Sequence, residues 1–348
     1  MADNQPLVSI ILPVHDGESS IAATLESAVG QTYRNTEIVV VDDGSRDGTR
    51  AIVEAWVTRD PRVRLIAQTN RGVAAARNRA IEAARGELIA PLDADDLWDP
   101  TKIERQIQRL FEAGDGTGLV YCWWVTIDDA GVLLDSSPAW RIEGHGADTL
   151  VQVNYTGNAS VPLYRRQILE QVGGYDMTLR DRDAEGSEDW DLALKVAERS
   201  RVVVTPERLV AYRKRRQSMS RRSDRMWRSH RLVMAAARAR RPDLSSAVVR
   251  RSQDQFALYL AGVAYWSGAY AEAIGWGVRA LRSPFAFQVL PLLMRLFSRQ
   301  FESRSIRPRA ISAGVCFSTW DLPQPLIPYD RIYQQRREPP GGAPPAAR

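Results

Sequence analysis

The sequence predicts an α/β domain with a mostly parallel sheet, followed by an α-helical C-terminal region. Three observations carry that prediction. Short apolar runs of strand length alternate with helically spaced segments from residue 7 to residue 127, and such alternation implies parallel strands with helices on both faces. Polar clusters follow three of the runs, at His15-Asp16, Asp42-Asp43 and Asp93-Ala94-Asp95-Asp96; ligands of such sheets bind beyond the carboxyl ends of the strands. From about Met226 the strand signals vanish, and Ala, Arg, Trp and Leu recur at helical spacing.

The elements follow in order. Leu7–Val14 is an apolar run that reads as a buried strand, and the segment Glu18–Gln31 carries Ile21, Leu25, Ala28 and Val29 at helical spacing. Glu37–Val41 is a second buried strand, ending in Asp42-Asp43-Gly44-Ser45, and Asp47 is placed to cap a helix that runs through Val57. Val63–Ala67 is a third strand. Gly72–Arg85 is an Ala-rich helix, with Gly86 where a C-cap glycine would sit. Glu87–Leu92 is a fourth strand running into Asp93, Pro100 opens a further helix, and Leu119–Ile127 is a further strand. Phe256–Pro284 reads as two antiparallel helices joined near Ser267-Gly268. Gly262, Tyr265, Gly268, Tyr270, Ala273, Ala280 and Pro284 give it the look of one tetratricopeptide-type unit. One unit cannot bury itself, so it is expected to pack on neighbouring helices. The expected division is 1–222 for the α/β domain, 223–305 for the helical region, and 306–348 for an extended, largely disordered tail that ends Pro/Gly/Ala-rich.

Composition narrows the function classes. Of 348 residues, 44% are hydrophobic and 26% charged, which excludes disorder as the main state. Cys122 and Cys316 are the only cysteines, so this is no disulfide scaffold, and a reducing compartment fits. Cys122 reads as core and His145 as a loop residue. No apolar run reaches the roughly 18 residues of a membrane span, and no basic stretch precedes Leu7–Val14 as in a secretory signal. The expected location is cytoplasmic, free or peripheral on the inner face of the plasma membrane. The net charge of +5 hides a division: residues 1–200 hold 20 Lys+Arg against 33 Asp+Glu, and residues 201–348 hold 27 against 9. An acidic half can hold a metal, and a basic half can face the phosphates of nucleic acid or lipid. The basic half has no zinc-finger or helix-turn-helix signature and no interleaved aromatics in a known module, so no nucleic-acid partner is expected.

Each acidic cluster has two readings on its own. Asp93 and Asp95 at a strand end can converge on Mg²⁺ or Mn²⁺ carrying a nucleotide diphosphate, or form a solvated loop that caps the next helix. Asp42-Asp43-Gly44-Ser45 can accept from a ribose hydroxyl or a base N–H, or make a simple β–α turn. Glu188, Asp189 and Asp191 open a helix, where acidic residues are stabilising in any case; a carboxylate there can also act as a general base.

Their order and spacing decide between these readings. Val8 to Asp16 (VSIILPVHD), Ser27 to Thr32 (SAVGQT), Glu37 to Ser45 (EIVVVDDGS), Asn70-Arg71-Gly72 with Ala76-Arg77-Asn78, and Leu92 to Trp98 (LDADDLW) come first. Gly173-Gly174-Tyr175-Asp176, Ser187 to Asp191 (SEDWD), and Tyr212-Arg213 with Ser218-Met219-Ser220 complete the series. In this combination residues 7–220 resemble the family-two glycosyltransferases of the GT-A fold. The resemblance implies a metal-dependent, inverting hexosyltransferase with a nucleotide-sugar donor, UDP-linked by default, and Mn²⁺ or Mg²⁺ as cofactor. It implies a glycan or lipid-linked glycan as acceptor, in cell-surface polysaccharide biosynthesis. It places Pro13 and His15 at the base pocket, Asp42 facing the base, and Arg71 and Arg77 in the donor-binding segment. Asp93 falls in the ribose and metal region, Asp95 is the main metal ligand, and Asp96 supports the site or caps the following helix. Asp189 is the catalytic base, with Glu188 beside it positioning acceptor or donor. Many relatives carry a histidine where this chain has Arg215, within Arg213-Lys214-Arg215-Arg216. A cation remains there for the donor diphosphate, but a guanidinium cannot ligate a metal.

Pro284–Phe301 is rich in Leu and Phe, with Arg295, Arg299 and Arg304 at its end. It reads either as a helix packed on the repeat-like pair or as an amphipathic segment in a membrane interface. A processive synthase is disfavoured, because no Gln-x-x-Arg-Trp follows Asp189 where synthases carry it. The alternative from another class is an inactive sugar-nucleotide-binding scaffold whose helical tail recruits partners or membrane.

Overall fold

The computed structural model describes residues 5–215, 222–281 and 311–315. Its strands are β1 (Val8–Val14), β2 (Thr36–Asp42), β3 (Val63–Ala67), β4 (Leu88–Pro91), β5 (Leu97–Trp98), β6 (Thr117–Ile127), β7 (Leu133–Ser136), β8 (Leu163–Arg165) and β9 (Arg201–Arg213). The helices are α1 (Ile21–Val29), α2 (Thr49–Arg59), α3 (Val73–Ala83), α4 (Lys102–Ala113), α5 (Ala147–Gln152), α6 (Arg166–Val172), α7 (Thr178–Asp181), α8 (Glu188–Ala197), α9 (Ser223–Arg240), α10 (Ser246–Trp266) and α11 (Tyr270–Leu281).

β1 is buried at every residue because strands flank it on both edges and helices cover both faces; such a strand needs a continuous apolar run, not alternation. It pairs in parallel with β2 (Val8↔Thr36 to Val14↔Asp42) and with β4 (Val8↔Leu88 to Ile11↔Pro91), and β2 pairs in parallel with β3. These registers bring the loops after β1, β2 and β4 to one edge of the sheet.

Beyond β4 the sheet becomes mixed. The order is β3-β2-β1-β4-β8-β6-β9-β5, with β7 on β6. β8 pairs antiparallel with β4 and β6, and β6 pairs in parallel with β9. β8 has only three residues, too few for periodicity to reveal.

Two local expectations change in detail. Asp47 lies two residues before α2. Its Oδ1 accepts from Thr49 N at 3.0 Å and its Oδ2 from Glu18 N at 3.0 Å, so it braces two loops as well as the helix start. Gly86 is no helix cap: α3 ends in an extended Ala84, and a Cβ on Gly86 would lie 2.6 Å from the Leu7 carbonyl oxygen. Close approach of two backbones demands glycine there.

A single apolar cluster runs from the sheet (Val8, Ile38, Leu88) through Trp190 and Leu192 of α8 to Met226, Val233, Phe256 and Trp276 of α9, α10 and α11. The change to helices near residue 222 is therefore no break in the core. α10 and α11 meet at Gly268 (φ +82) and pack on each other, and α10 also packs on α9 and α5, the neighbours that a lone repeat-like pair requires. Among the described residues no helix is long and apolar enough to cross a membrane. All of Pro284–Phe301 lies outside the described residues. From the stretch assigned to the tail, Ile311 returns to the sheet: it is 3% exposed, packs with Leu97, Val125, Ile127 and Leu133, and donates its N–H to the Gly131 carbonyl at 2.8 Å.

Candidate active site

The loops after β1 and β2 brace each other. Asp16 takes a left-handed backbone (φ +50); its N–H donates to Ser45 Oγ at 3.0 Å, and its Oδ1 accepts from Arg46 N at 2.8 Å. Gly17 N donates to Thr49 Oγ1 at 2.8 Å, and Gly48 N donates to Glu18 Oε2 at 3.0 Å. Pro13 is buried in β1 opposite Val41, while His15 is exposed at the edge with Nε2 3.5 Å from Asp16 Oδ2. Asp42 is buried at the end of β2, where Oδ1 accepts from Ser45 N at 2.9 Å and closes the turn. Its neighbour Asp43 reaches across to the start of α3 and accepts from Gln68 Nε2, Arg71 N and Gly72 N at 2.7, 2.8 and 2.8 Å. Asp43 thus sets the backbone at Arg71, whose side chain is exposed. Asp43→Ala strands these donors and is expected to cost about 2–3 kcal/mol, measured by urea unfolding.

Arg77, on α3, links two further elements. It is 2% exposed; Nη1 donates to Glu188 Oε1 at 2.9 Å and Nη2 to Asp93 Oδ1 at 2.5 Å, and the guanidinium lies 5.2 Å from the Tyr175 ring centre. The other Glu188 oxygen accepts from Gly186 N at 2.8 Å. Arg77 and Glu188 are therefore engaged inside the protein, and act on the site by holding the Asp93 loop and the first turn of α8 together.

The acidic loop after β4 is held from below. Asp93 N donates to Ser160 Oγ at 3.0 Å. Asp96 is wholly buried and accepts from Ser160 Oγ at 2.6 Å, Asn158 Nδ2 at 3.2 Å and Arg213 N at 2.9 Å. Burial and the charges of Asp95 and Asp93 push its carboxyl well up. Of its two expected roles, Asp96 takes that of support. The side chain of Asp95 is 32% exposed. Burial and then the charge of Asp93 push its carboxyl up to about 6, against the pull of Arg215. Arg213 donates to the carbonyls of Asp95, Asp128 and Asp129 at 2.9, 2.8 and 2.9 Å. Arg215 reaches Ser19 Oγ with Nη2 at 2.9 Å, and its Nε lies 3.8 Å from Asp95 Oδ2.

Asp189 sits in the first turn of α8, where Oδ1 accepts from Trp190 N at 2.7 Å. Burial and the neighbouring Glu188 charge push its carboxyl up to about 7, with Arg77 opposing. α8 is seated by Trp190, whose Nε1 donates to the Leu150 carbonyl at 2.8 Å and whose ring lies 4.8 Å from His230 and 5.9 Å from Phe256. His230 is fully buried, and burial pushes its pKa down to about 3, so it packs as a neutral ring. The C-terminal helices thereby hold the helix that bears Asp189.

The structure brings Asp93, Asp95, Arg215, Glu188, Asp189 and Arg77 into one connected cluster, with the braced loops of His15 and Asp42 on the same sheet edge. Sequence reasoning missed Asn158 and Ser160, and saw Asp43 and Arg213 only as parts of motifs. Ser160 is 64 residues from Asp96, and no spacing rule links them.

The comparisons with known proteins agree with this architecture. Residues 9–173 match the family described as glycosyl transferase family 2. The putative glycosyltransferase EpsH of Bacillus subtilis is 38% identical over 170 residues, 47% of this chain and 48% of its own length. The putative teichuronic acid biosynthesis glycosyltransferase TuaG of the same organism is 38% identical over 113 residues, 32% of this chain and 45% of its own. Chondroitin synthase of Escherichia coli is 36% identical over 137 residues, 39% of this chain and 20% of its own. The chain thus spans about half, or less, of these relatives. Among solved structures, Staphylococcus aureus TarS 1–349 in complex with UDP superposes with a TM-score of 0.52 at 21% identity, covering 74% of this chain and 72% of that one. The mannosyltransferase PcManGT of Pyrobaculum calidifontis, in complex with GDP-Man and Mn²⁺, superposes with a TM-score of 0.55 at 20% identity, covering 87% and 83%. These two likenesses speak for the fold. With the motifs, the parallel strands and the loops at their carboxyl ends, the chain has the GT-A fold, and just under half of it, residues 9–173, is similar to glycosyl transferase family 2.

Proposed function

We propose that the chain is an inverting glycosyltransferase. It moves a sugar from a nucleotide-sugar donor, UDP-linked by default, to a hydroxyl of a glycan or lipid-linked glycan in cell-surface polysaccharide assembly. The names of TuaG, a putative teichuronic acid biosynthesis glycosyltransferase, and of chondroitin synthase support the polysaccharide setting. The observation that carries the reading is the pair of ion pairs on Arg77. It ties the carboxylate loop after β4 to the helix bearing Asp189, a carboxyl raised to about 7.

In this reading Asp189 takes the proton of the acceptor hydroxyl. The freed oxygen forms a bond to the anomeric carbon from the face opposite the diphosphate, whose bond to that carbon breaks, inverting the centre. A base poised near neutrality suits this task. Glu188 positions Asp189 through charge and through Arg77. Pro13, His15, Asp42 and Arg71 lie where a nucleoside at the strand ends would be met, and Arg215 where its diphosphate would be.

Asp93 and Asp95 fit Mg²⁺ or Mn²⁺ in kind: both present hard oxygen donors on one loop. Among the described residues no cluster of three or more His, Cys, Asp or Glu forms a cation cage, so the donor phosphates and water would complete the ligand shell. A bound cation would neutralise the leaving diphosphate. We place the enzyme in the cytoplasm or peripherally on the inner membrane face, where a lipid-linked acceptor would lie.

The test is calorimetric titration of UDP, GDP and dTDP, with and without Mn²⁺. Mn²⁺-dependent binding of one of them is expected, and Asp95→Ala is expected to weaken it at least about tenfold. Folded protein that binds none of the three overturns the donor-site reading.

A further inference from the structure

Arg215 stands next to masses of negative charge that it meets only loosely. Nη2 donates to Ser19 Oγ at 2.9 Å, in the loop after β1. Nε lies 3.8 Å from Asp95 Oδ2, in the loop after β4, and 3.9 Å from Asp129 Oδ1, in the turn between β6 and β7. Both carboxylate distances are too long for hydrogen bonds. Nε is buried and makes no hydrogen bond among the described residues. Arg213, two residues earlier, contrasts with it: its guanidinium is fastened to three backbone carbonyls and shapes the loops. Arg215 is thus anchored on one hydroxyl and paired at a distance with two carboxylates, an arrangement that can exchange partners.

The charges favour such an exchange. Arg215 offsets Asp95 while Arg77 is taken up by Asp93 and Glu188. A divalent cation arriving alone would sit beside a guanidinium that cannot lose its proton. Arriving with a nucleoside diphosphate, it brings the anion that a guanidinium binds best.

We propose that Arg215 is the resting counter-ion of Asp95: it opposes binding of a free divalent cation and passes to the donor diphosphate when cation and nucleotide bind together. This rests on Asp93 and Asp95 being the cation pair. The consequence is a cation site that depends on nucleotide.

The experiment is Mn²⁺ titration of the full chain, read by the electron paramagnetic resonance of free Mn²⁺, first alone and then with saturating UDP, GDP or dTDP. Arg215→Gln is expected to tighten binding of Mn²⁺ alone roughly tenfold, a figure discounted for screening at a partly exposed carboxylate. The same variant is expected to weaken nucleotide binding in the presence of Mn²⁺ roughly tenfold. Arg215→Lys keeps the charge and is expected to leave Mn²⁺ binding weak in the absence of nucleotide. Simple damage to the site would weaken both equilibria, so the opposite signs are the signature. Unchanged or weaker Mn²⁺ binding in Arg215→Gln overturns the proposal, provided Asp95→Asn abolishes the nucleotide-dependent Mn²⁺ binding. If Asp95→Asn changes nothing, the cation pair itself is misassigned and both readings fall.

Discussion

Asp189→Asn is expected to lower turnover about 10²–10⁴-fold while the affinity for donor nucleotide stays within a factor of about two. The amide keeps the acceptor of the Trp190 N–H bond but cannot take a proton. Single-turnover transfer and calorimetry on the same preparation separate the two effects; near-wild-type turnover would remove Asp189 as the base. The wild-type rate is expected to rise with pH through about 7, because the active form is the carboxylate and its pKa is raised to that value. Stability runs the other way. Below the ordinary carboxyl pKa near 3.8 both folded and unfolded chains hold the proton; between there and about 7 only the folded chain does. The stabilising contribution of this group is therefore lost as pH rises through 7. Asp189→Asn should lose less stability than wild type between pH 4 and 8, measurable by urea unfolding.

Arg77→Met is expected to have the largest effect on stability. The variant would leave Glu188, 4% exposed, and Asp93 without the cation they share. Removing one partner of a buried ion pair costs about 3–5 kcal/mol. Urea unfolding should show that loss. The double variant Arg77→Met, Glu188→Gln should recover part of it, because the stranded charge is gone. A loss below about 1 kcal/mol would mean that water reaches the pair and that Arg77 does not join the two elements. Activity should fall with stability, since Asp93 and α8 then lose their common anchor.

Much of this was legible along the chain. The buried strands are unbroken apolar runs, and Asp42, Asp93 and Asp95 directly follow them, so local order placed these carboxylates at the strand ends. Arg77 was legible as a motif member but not as a buried bridge. Its partner Glu188 is 111 residues away, and only the tertiary fold brings them together. The same holds for Ser160 and Asn158 beneath Asp96, and for β8, whose three residues carry no period. Glu188 is read from the sequence as positioning acceptor or donor beside Asp189; only the structure shows that its two oxygens hold Arg77 and Gly186.

The sequence by itself determined the α/β class, the family motifs and the edge of the sheet where the acidic loops gather. Those depend on neighbours two to four residues apart, which periodicity and capping record. The tertiary structure decided which charges are buried and which face which. Asp189 shows why that matters. A carboxylate in the first turn of a helix should ionise more readily than usual, and along the chain nothing argues otherwise. In the fold, burial and the charge of Glu188 outweigh Arg77 and the Trp190 N–H, and raise the group to about 7. Desolvation is a property of the whole packed environment, so the sign of that shift is absent from any local stretch of sequence.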